Sequence, residues 1–154
     1  MQKNYSLAQC IELLRKGFSL ITVGESKSGK TPNFTWKKWQ TEIMPEGQFV
    51  KQYNYTGGEI IKAGERQGQM RPATTGVGFA TGYDNLEVID IDTKFIDNPV
   101  DKAKCYDTFC NLIRPIWPDF DKKVVIARTK NKGYHFLYKA YNCTGSKKIA
   151  KIDA

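Results

Sequence analysis

Apolar and polar residues follow two periods along the chain, and these periods predict its helices and strands. Ser6 and Gln9 form a capping box, and apolar residues at helical spacing follow it as far as Gly17. Asn98 and Pro99 open a second long helix, over 100–114. Short helices are expected at 35–43 and 46–53, a long surface loop at 55–75, and strands at 18–23, 76–82, 86–92, 123–129 and 134–139. This mixture predicts an α+β fold with a mostly antiparallel central sheet flanked by helices.

Short connections indicate which strands pair. Only 83–85 separates the strand at 76–82 from the strand at 86–92, so these two are expected to pair antiparallel. The last two strands are joined through Lys130-Asn131-Lys132-Gly133, which predicts a hairpin. Because strand side chains alternate between faces, His135, Leu137 and Lys139 are expected on one face of the last strand, and Tyr134, Phe136 and Tyr138 on the other.

A glycine-rich segment at 24–31 has the spacing of a phosphate-binding loop. Gly24 is followed after four residues by Gly29, Lys30 and Thr31. In a P-loop a helix begins directly after this segment, but here Pro32 occupies that position. The chain also lacks the repeating βα units of P-loop NTPases. A P-loop NTPase is therefore a weaker alternative, which stays open at this point.

The run 86–92 is an apolar strand that ends in two aspartates. Asp90 and Asp92 are two positions apart, so their side chains share a face, about 6.6 Å apart along the strand. Two carboxylates aimed the same way repel unless a cation lies between them, and Mg²⁺ prefers such oxygen ligands together with substrate phosphates. The pattern predicts a metal-dependent phosphoryl-transfer site. The alternative is a strand that ends in solvent, with Asp92 as a turn residue.

The composition of the chain limits the classes of binding partner. The 154 residues fit a single domain, and the net charge of +8 predicts attraction to a polyanion. No apolar stretch approaches the ~20 residues that span a bilayer and no leader opens the chain, so nucleic acid is preferred over a membrane. The four cysteines match no zinc spacing and are expected to be free thiols in a reducing cytoplasm.

Three groups of residues, in this order, resemble a known family. These are Gly76-Val77-Gly78 with Thr81-Gly82, then Val88-Ile89-Asp90-Ile91-Asp92, then Arg128-Thr129 with Gly133-Tyr134-His135-Phe136. Together they resemble the N-terminal domain of bifunctional DNA primase/polymerases (prim-pol), in the archaeo-eukaryotic primase superfamily. The similarity covers nearly the whole chain, as one domain over 1–154 with an N-terminal part at 1–54 and a catalytic-core part at 76–154.

The resemblance implies an RRM-like catalytic core and assigns roles to three residues. Asp90 and Asp92 match the metal-binding motif for Mg²⁺ or Mn²⁺, and His135 matches the histidine that contacts the phosphates of the incoming nucleotide. The family's third carboxylate motif is not found, which implies a fragment of a longer replication protein of a phage, plasmid or integrated element. The implied partners are a DNA template and primer, nucleoside triphosphates, and a helicase in the same longer chain.

Charge and position add further candidates to these. Arg128 suits bidentate phosphate binding and Lys132 a point-charge contact, and Lys30 joins them as a nucleotide-binding residue. Every charged residue from 122 to 151 is basic, so the template backbone is expected to contact Lys130, Lys139, Lys147 and Lys148. Two rivals to a polymerase remain, a non-catalytic nucleic-acid-binding module of the same fold and a metal-dependent nuclease.

Overall fold

The computed structural model describes residues 3–26, 29–94, 96–129 and 132–142. The chain divides into two compact units, an N-terminal unit (Met1–Asp84) and a C-terminal unit (Asn85–Ala154). Within these described ranges, each unit contains one three-stranded antiparallel sheet and two α-helices. The α+β class predicted from the sequence is confirmed, but the strands form two small sheets and not one central sheet.

The N-terminal unit contains a sheet in the order β2-β1-β3. Its helices are α1 (Leu7–Arg15) and α2 (Glu46–Tyr53), and its strands are β1 (Leu20–Ser26), β2 (Gly29–Pro32) and β3 (Gly76–Phe79). The predicted capping box opens α1, because Ser6 accepts from the Gln9 N–H and the Gln9 side chain accepts from the Ser6 N–H. Gly17 follows α1 at φ +86°, as a C-terminal glycine must.

The predicted 35–43 helix is a short 3₁₀ turn over Lys37–Gln40. It contributes Trp39 to the core of this unit, where Leu20, Met44 and Phe49 are also buried. Burial of side chains of this size contributes roughly 1.5–3 kcal/mol each. The aromatic residues of this region therefore serve packing.

The glycine-rich segment at 24–31 forms a β-hairpin, with Gly24 opposite Thr31 and Glu25 opposite Lys30. No helix follows it, so the segment does not have the strand-loop-helix geometry of a P-loop. Gly24 has a different reason to be glycine. A Cβ there would lie 2.6 Å from the carbonyl oxygen of Ala73.

The long loop at 55–75 is attached to the sheet by its two arginines. Arg66 donates to the Thr31 hydroxyl and to the carbonyl of Pro32. Arg71 donates to the carbonyl of Asn33 and lies over the ring of Phe34. Both guanidinium groups thus satisfy polar groups of the fold itself.

The C-terminal unit contains a sheet in the order β4-β6-β5. Its strands are β4 (Leu86–Ile91), β5 (Val125–Arg128) and β6 (Tyr134–Lys139), and its helices are α3 (Pro99–Ile113) and α4 (Phe120–Lys123). The hairpin of β5 and β6 is confirmed, and so are Asn98 as N-cap and Pro99 as first residue of α3. As expected from the alternation, Phe136 is fully buried, in a core with Cys110 and Phe120.

Two expectations about this region are wrong. The strand at 76–82 does not pair with the strand at 86–92, because β3 pairs with β1 and β4 pairs with β6. Asp84 and Asn85, both at positive φ, lie in a short 3₁₀ turn between β3 and β4, which is not a hairpin loop. The apolar face of α3 is the second, and it is wrong in part. Helical spacing predicts one face with Val100, Ala103, Phe109, Leu112 and Ile113. Phe109 and Ile113 do pack in the core, together with Tyr106, whereas Val100, Ala103 and Leu112 are exposed.

No helix among the described residues is both long and apolar enough to cross a membrane.

Candidate active site

Asp90, near the end of the edge strand β4, and His135, near the start of the central strand β6, lie side by side in the C-terminal sheet. They are directly opposite each other in the register of β4 and β6, so their side chains share one face. Nε2 of His135 is 3.4 Å from Oδ1 of Asp90, and both side chains are accessible, at 45% and 60% exposure. At this distance the two side chains form an ion pair when the imidazole is protonated. The sheet thus brings together two residues that the sequence analysis selected from separate motifs.

The surroundings of His135 keep its ring open to a ligand. Its neighbour on β5 is Ala127, whose methyl group is too small to cover the imidazole. The opposite face of the same strands carries Ile89 and Phe136 and packs against α3. The site therefore occupies the face of the sheet that α3 does not cover.

Asp92 follows the last residue of β4 and lies in a turn. Its Oδ1 accepts from the backbone N–H of Lys94, and its Oδ2 is 2.7 Å from the Lys94 ammonium. The hydrogen bond from the Lys94 side chain, aided by that from its backbone, holds the pKa of Asp92 below its ordinary value. For Asp92 the structure thus shows the turn residue of the alternative interpretation. A metal would have to compete with Lys94 for this carboxylate.

Gly133 fixes the distance between the ends of β4 and β6. A Cβ at this position would collide with the carbonyl oxygen of Ile91. The N–H of Gly133 donates to the Thr129 hydroxyl, and its carbonyl accepts from the Thr129 N–H. Only glycine allows so close a backbone approach, which places His135 level with Asp90.

Arg128 and Lys132 are not on the face of His135. Arg128 is opposite Tyr134 in the register, and Tyr134 belongs to the face that packs on α3. Both basic residues line a cleft at the beginning of α3, together with Lys94 and Lys102. The structure therefore does not bring Arg128 to the imidazole as a second phosphate ligand.

The other predicted basic residues are spread over the chain. Lys30 is exposed on β2 in the N-terminal unit, and Lys139 is exposed at the end of β6. Lys130, Lys147 and Lys148 lie outside the described residues.

A divalent ion could use the two carboxylates of this site. Mg²⁺ is commonly held by one or two carboxylates, and substrate phosphates and water complete its shell. Asp90 and Asp92 have the right donor chemistry for this arrangement. In the described part of the chain, however, no group of three or more His, Cys, Asp or Glu side chains is placed to hold a metal. The pair suits an ion that arrives with a nucleotide better than a resident ion in a closed protein site.

Two residues of this region were missed from the sequence, Lys94 and Lys102. The spacing offered a signal for Lys102, which precedes Tyr106 by four residues and so lies one turn earlier on the side of α3 that faces the sheet. Nothing in the sequence pattern indicated that Lys94 would pair with Asp92.

No protein-family model, curated protein or solved structure matches the chain.

Proposed function

We propose that this chain is a prim-pol-type domain that catalyses metal-dependent, template-directed nucleotidyl transfer in the replication of a mobile element or phage. The observation that carries the proposal is the contact of Asp90 with His135 on the open face of the sheet. This is the arrangement that the resemblance requires, because its metal motif and its nucleotide-binding histidine must act on one triphosphate. The net charge of +8 adds a general attraction to nucleic acid.

The proposed roles combine what the resemblance implies with the contacts that these side chains make. Asp90 and Asp92 would hold Mg²⁺ or Mn²⁺, and the bound ion would neutralise the triphosphate and polarise its α-phosphate for attack by a 3′-hydroxyl. His135 donates a ring N–H to a phosphate oxygen, while Asp90 at 3.4 Å orients the imidazole. Asp92 now pairs with Lys94 and would have to give up that contact to hold the ion. We place this reaction in the cytoplasm, in keeping with the free thiols of Cys10, Cys105 and Cys110.

Primer extension by the intact protein tests the proposal. A labelled primer on a DNA template is incubated with Mg²⁺ and deoxynucleoside triphosphates, and its lengthening is followed on a gel. Asp90→Asn is expected to lower the extension rate at least about a hundredfold, since the ion loses a charged ligand. Asp107→Asn removes an exposed carboxylate from α3 and is expected to leave the rate unchanged. Undiminished extension by Asp90→Asn would overturn the proposal.

A second candidate is a nucleic-acid-binding module that performs no chemistry. The observation in its favour is the ion pair that Asp92 makes with Lys94, together with the lack of a three-ligand group in the described residues. Binding of the template without any extension by the wild-type protein would select it. The same reaction without nucleotides tests for a nuclease, which would shorten the labelled strand.

A further inference from the structure

A cleft of about 520 Å³ opens in the C-terminal unit on the α3 side of its sheet. Its walls are the first turn of α3, the segment after β4 and the end of β5 with the turn that follows. The volume falls within the range of about 300–1,000 Å³ that is usual for ligand sites. The cleft is distinct from the Asp90–His135 site, because Arg128 in its wall belongs to the opposite face of the strands.

The charge of this cleft is strongly positive. Four basic residues line it, namely Lys94, Lys102, Arg128 and Lys132, against the single carboxylate of Asp97. Lys94 is paired with Asp92. Among the described residues, no carboxylate lies within ion-pair distance of Lys102, Arg128 or Lys132. Like charges gathered without counter-charges favour an anionic ligand.

Arg128 differs in this respect from every other arginine of the chain. Arg15 and Arg114 pair with the carboxylates of Glu46 and Asp121, and Arg66 and Arg71 donate to backbone carbonyls. Arg128 has no such partner within the described ranges. A guanidinium with all five donors available at the wall of a cleft is suited to bind phosphate oxygens bidentately.

The fold fixes the backbone positions that carry the cationic groups of the cleft. Cross-strand pairing with Tyr134 directs Arg128 toward α3. Lys132 adopts φ +65° in a turn closed by hydrogen bonds between Thr129 and Gly133. Lys102 lies one helical turn before Tyr106, which packs against the sheet. The side chains of Lys94, Arg128 and Lys132 are exposed, so they can reach a ligand in the cleft from these fixed positions.

We propose that this cleft binds the phosphodiester backbone of a single nucleic-acid strand, independently of base sequence. A strand fits better than an isolated phosphate because the cations line three walls of the cleft, so successive phosphates of one strand can each contact a cation. Lys94 contacts Asp92 and also lines the cleft, so the bound backbone lies beside the end of β4. The inference rests on charge and shape and does not depend on the polymerase reaction.

Binding of a fluorescent oligothymidylate to the intact protein, followed by anisotropy in EDTA at several salt concentrations, tests this proposal. The double variant Arg128→Gln/Lys132→Gln is expected to bind about tenfold more weakly and to lose about 0.7 from the salt slope for each phosphate contact removed. The control Lys51→Gln/Lys62→Gln removes the same charge from exposed sites in the N-terminal unit and is expected to change binding by less than about 1.5-fold. Equal weakening by the two pairs would overturn the proposal.

Two further arms identify the ligand and guard against misfolding. Inorganic triphosphate and a deoxynucleoside triphosphate are added as competitors of the oligonucleotide. If either displaces the oligonucleotide at micromolar concentration, the cleft binds free nucleotides, and the proposal that it binds a nucleic-acid strand is overturned. If the double variant fails to fold, Lys102→Gln replaces it, because this change affects a single partly buried helix position. Lys102→Gln should weaken binding two- to threefold. Unchanged binding by this variant would count against the cleft. Asp90→Asn should bind the strand normally, so failure of this inference is separable from failure of the polymerase proposal.

Discussion

Two arginines of the N-terminal unit, Arg66 and Arg71, differ in their partners from Arg128 of the C-terminal unit. In the N-terminal unit, Arg66 and Arg71 donate to carbonyls beside β2 and attach a long loop to the sheet. In the C-terminal unit, Arg128 stands at a cleft with no partner among the described residues. Hydrogen bonds to the backbone give Arg66 and Arg71 a structural role, and no such bond within the described residues accounts for Arg128. A charged side chain that hydrogen-bonds to the fold is structural, whereas one left unpaired at a cleft points to a ligand.

The same contrast holds for polar groups. In the N-terminal unit, buried Thr22 donates to Asn33, Asn33 donates to Thr74, and Thr74 donates to the carbonyl of Gln52. These groups satisfy one another away from solvent. In the C-terminal unit, the side chains of Asp90 and His135 are accessible, and Nε2 of His135 lies 3.4 Å from Oδ1 of Asp90. The first network serves packing, and the second pair is available for chemistry.

The two units differ in their charged groups and not in their cores. Truncating a core side chain should therefore lower the free energy of unfolding by a similar amount in each unit. Phe49 and Phe136 are fully buried, one in each unit. We expect Phe49→Ala and Phe136→Ala each to lower the free energy of unfolding by about 3–5 kcal/mol, since each leaves a cavity. Equilibrium urea unfolding measures this. The exposed residue Ile116 provides the control, and Ile116→Ala should stay within about 0.5 kcal/mol of wild type. A negligible cost in one unit would contradict the assigned core.

Two glycines at close backbone contacts, Gly24 and Gly133, are expected to differ in their importance for activity. Gly24→Ala and Gly133→Ala both force a Cβ against a carbonyl oxygen, and each should cost about 1–3 kcal/mol of stability. Only Gly133→Ala should also impair primer extension, because it shifts β6 against β4 and moves His135 from Asp90. Gly47→Ala in α2, where a Cβ meets nothing within 4 Å, is the control and should stabilise slightly. Thermal unfolding and extension rates of the three variants decide the matter.

The arginines test the comparison most specifically. Arg71→Gln removes a hydrogen bond from a charged donor and should lower the free energy of unfolding by about 1–3 kcal/mol. Arg128→Gln should leave it within about 0.5 kcal/mol of wild type, because no hydrogen bond or ion pair joins the Arg128 side chain to a described residue. Urea unfolding of both variants measures the difference. Equal destabilisation would show that Arg128 is also structural.

The smallest effect belongs to Asp92. Its pKa is lowered by Lys94, so its ionised form stabilises the fold at pH values above its ordinary pKa of about 3.9, and this contribution is lost as the pH falls through the lowered pKa. The carboxylate is partly exposed, so we expect Asp92→Asn to cost under about 0.5 kcal/mol at pH 7 and less than that at pH 2. Unfolding curves at the two pH values check this. A difference that grew on acidification would contradict it.

Local signals in the sequence predicted local structure well. The capping box at Ser6, the Asn98-Pro99 helix start and the hairpin before Tyr134 depend on neighbouring residues alone. The pairing of β3 with β1 could not be predicted in this way, because it depends on which apolar strands pack together across a long stretch of chain. For the site, alternation placed His135 on the correct face. The contact of Asp90 with His135 needed the register, and the cleft needed the packing of α3 on the sheet.

The central claim is that Asp90 and His135 act on one metal-bound nucleotide, and proton NMR of the imidazole tests it most directly. His135 is the only histidine, so in untagged protein its ring signals belong to this site alone. With a deoxynucleoside triphosphate present, substoichiometric Mn²⁺ should broaden these signals in wild type and in Asp107→Asn, but not in Asp90→Asn. Ring signals that stay sharp in wild type, or that broaden equally in Asp90→Asn, would contradict the claim.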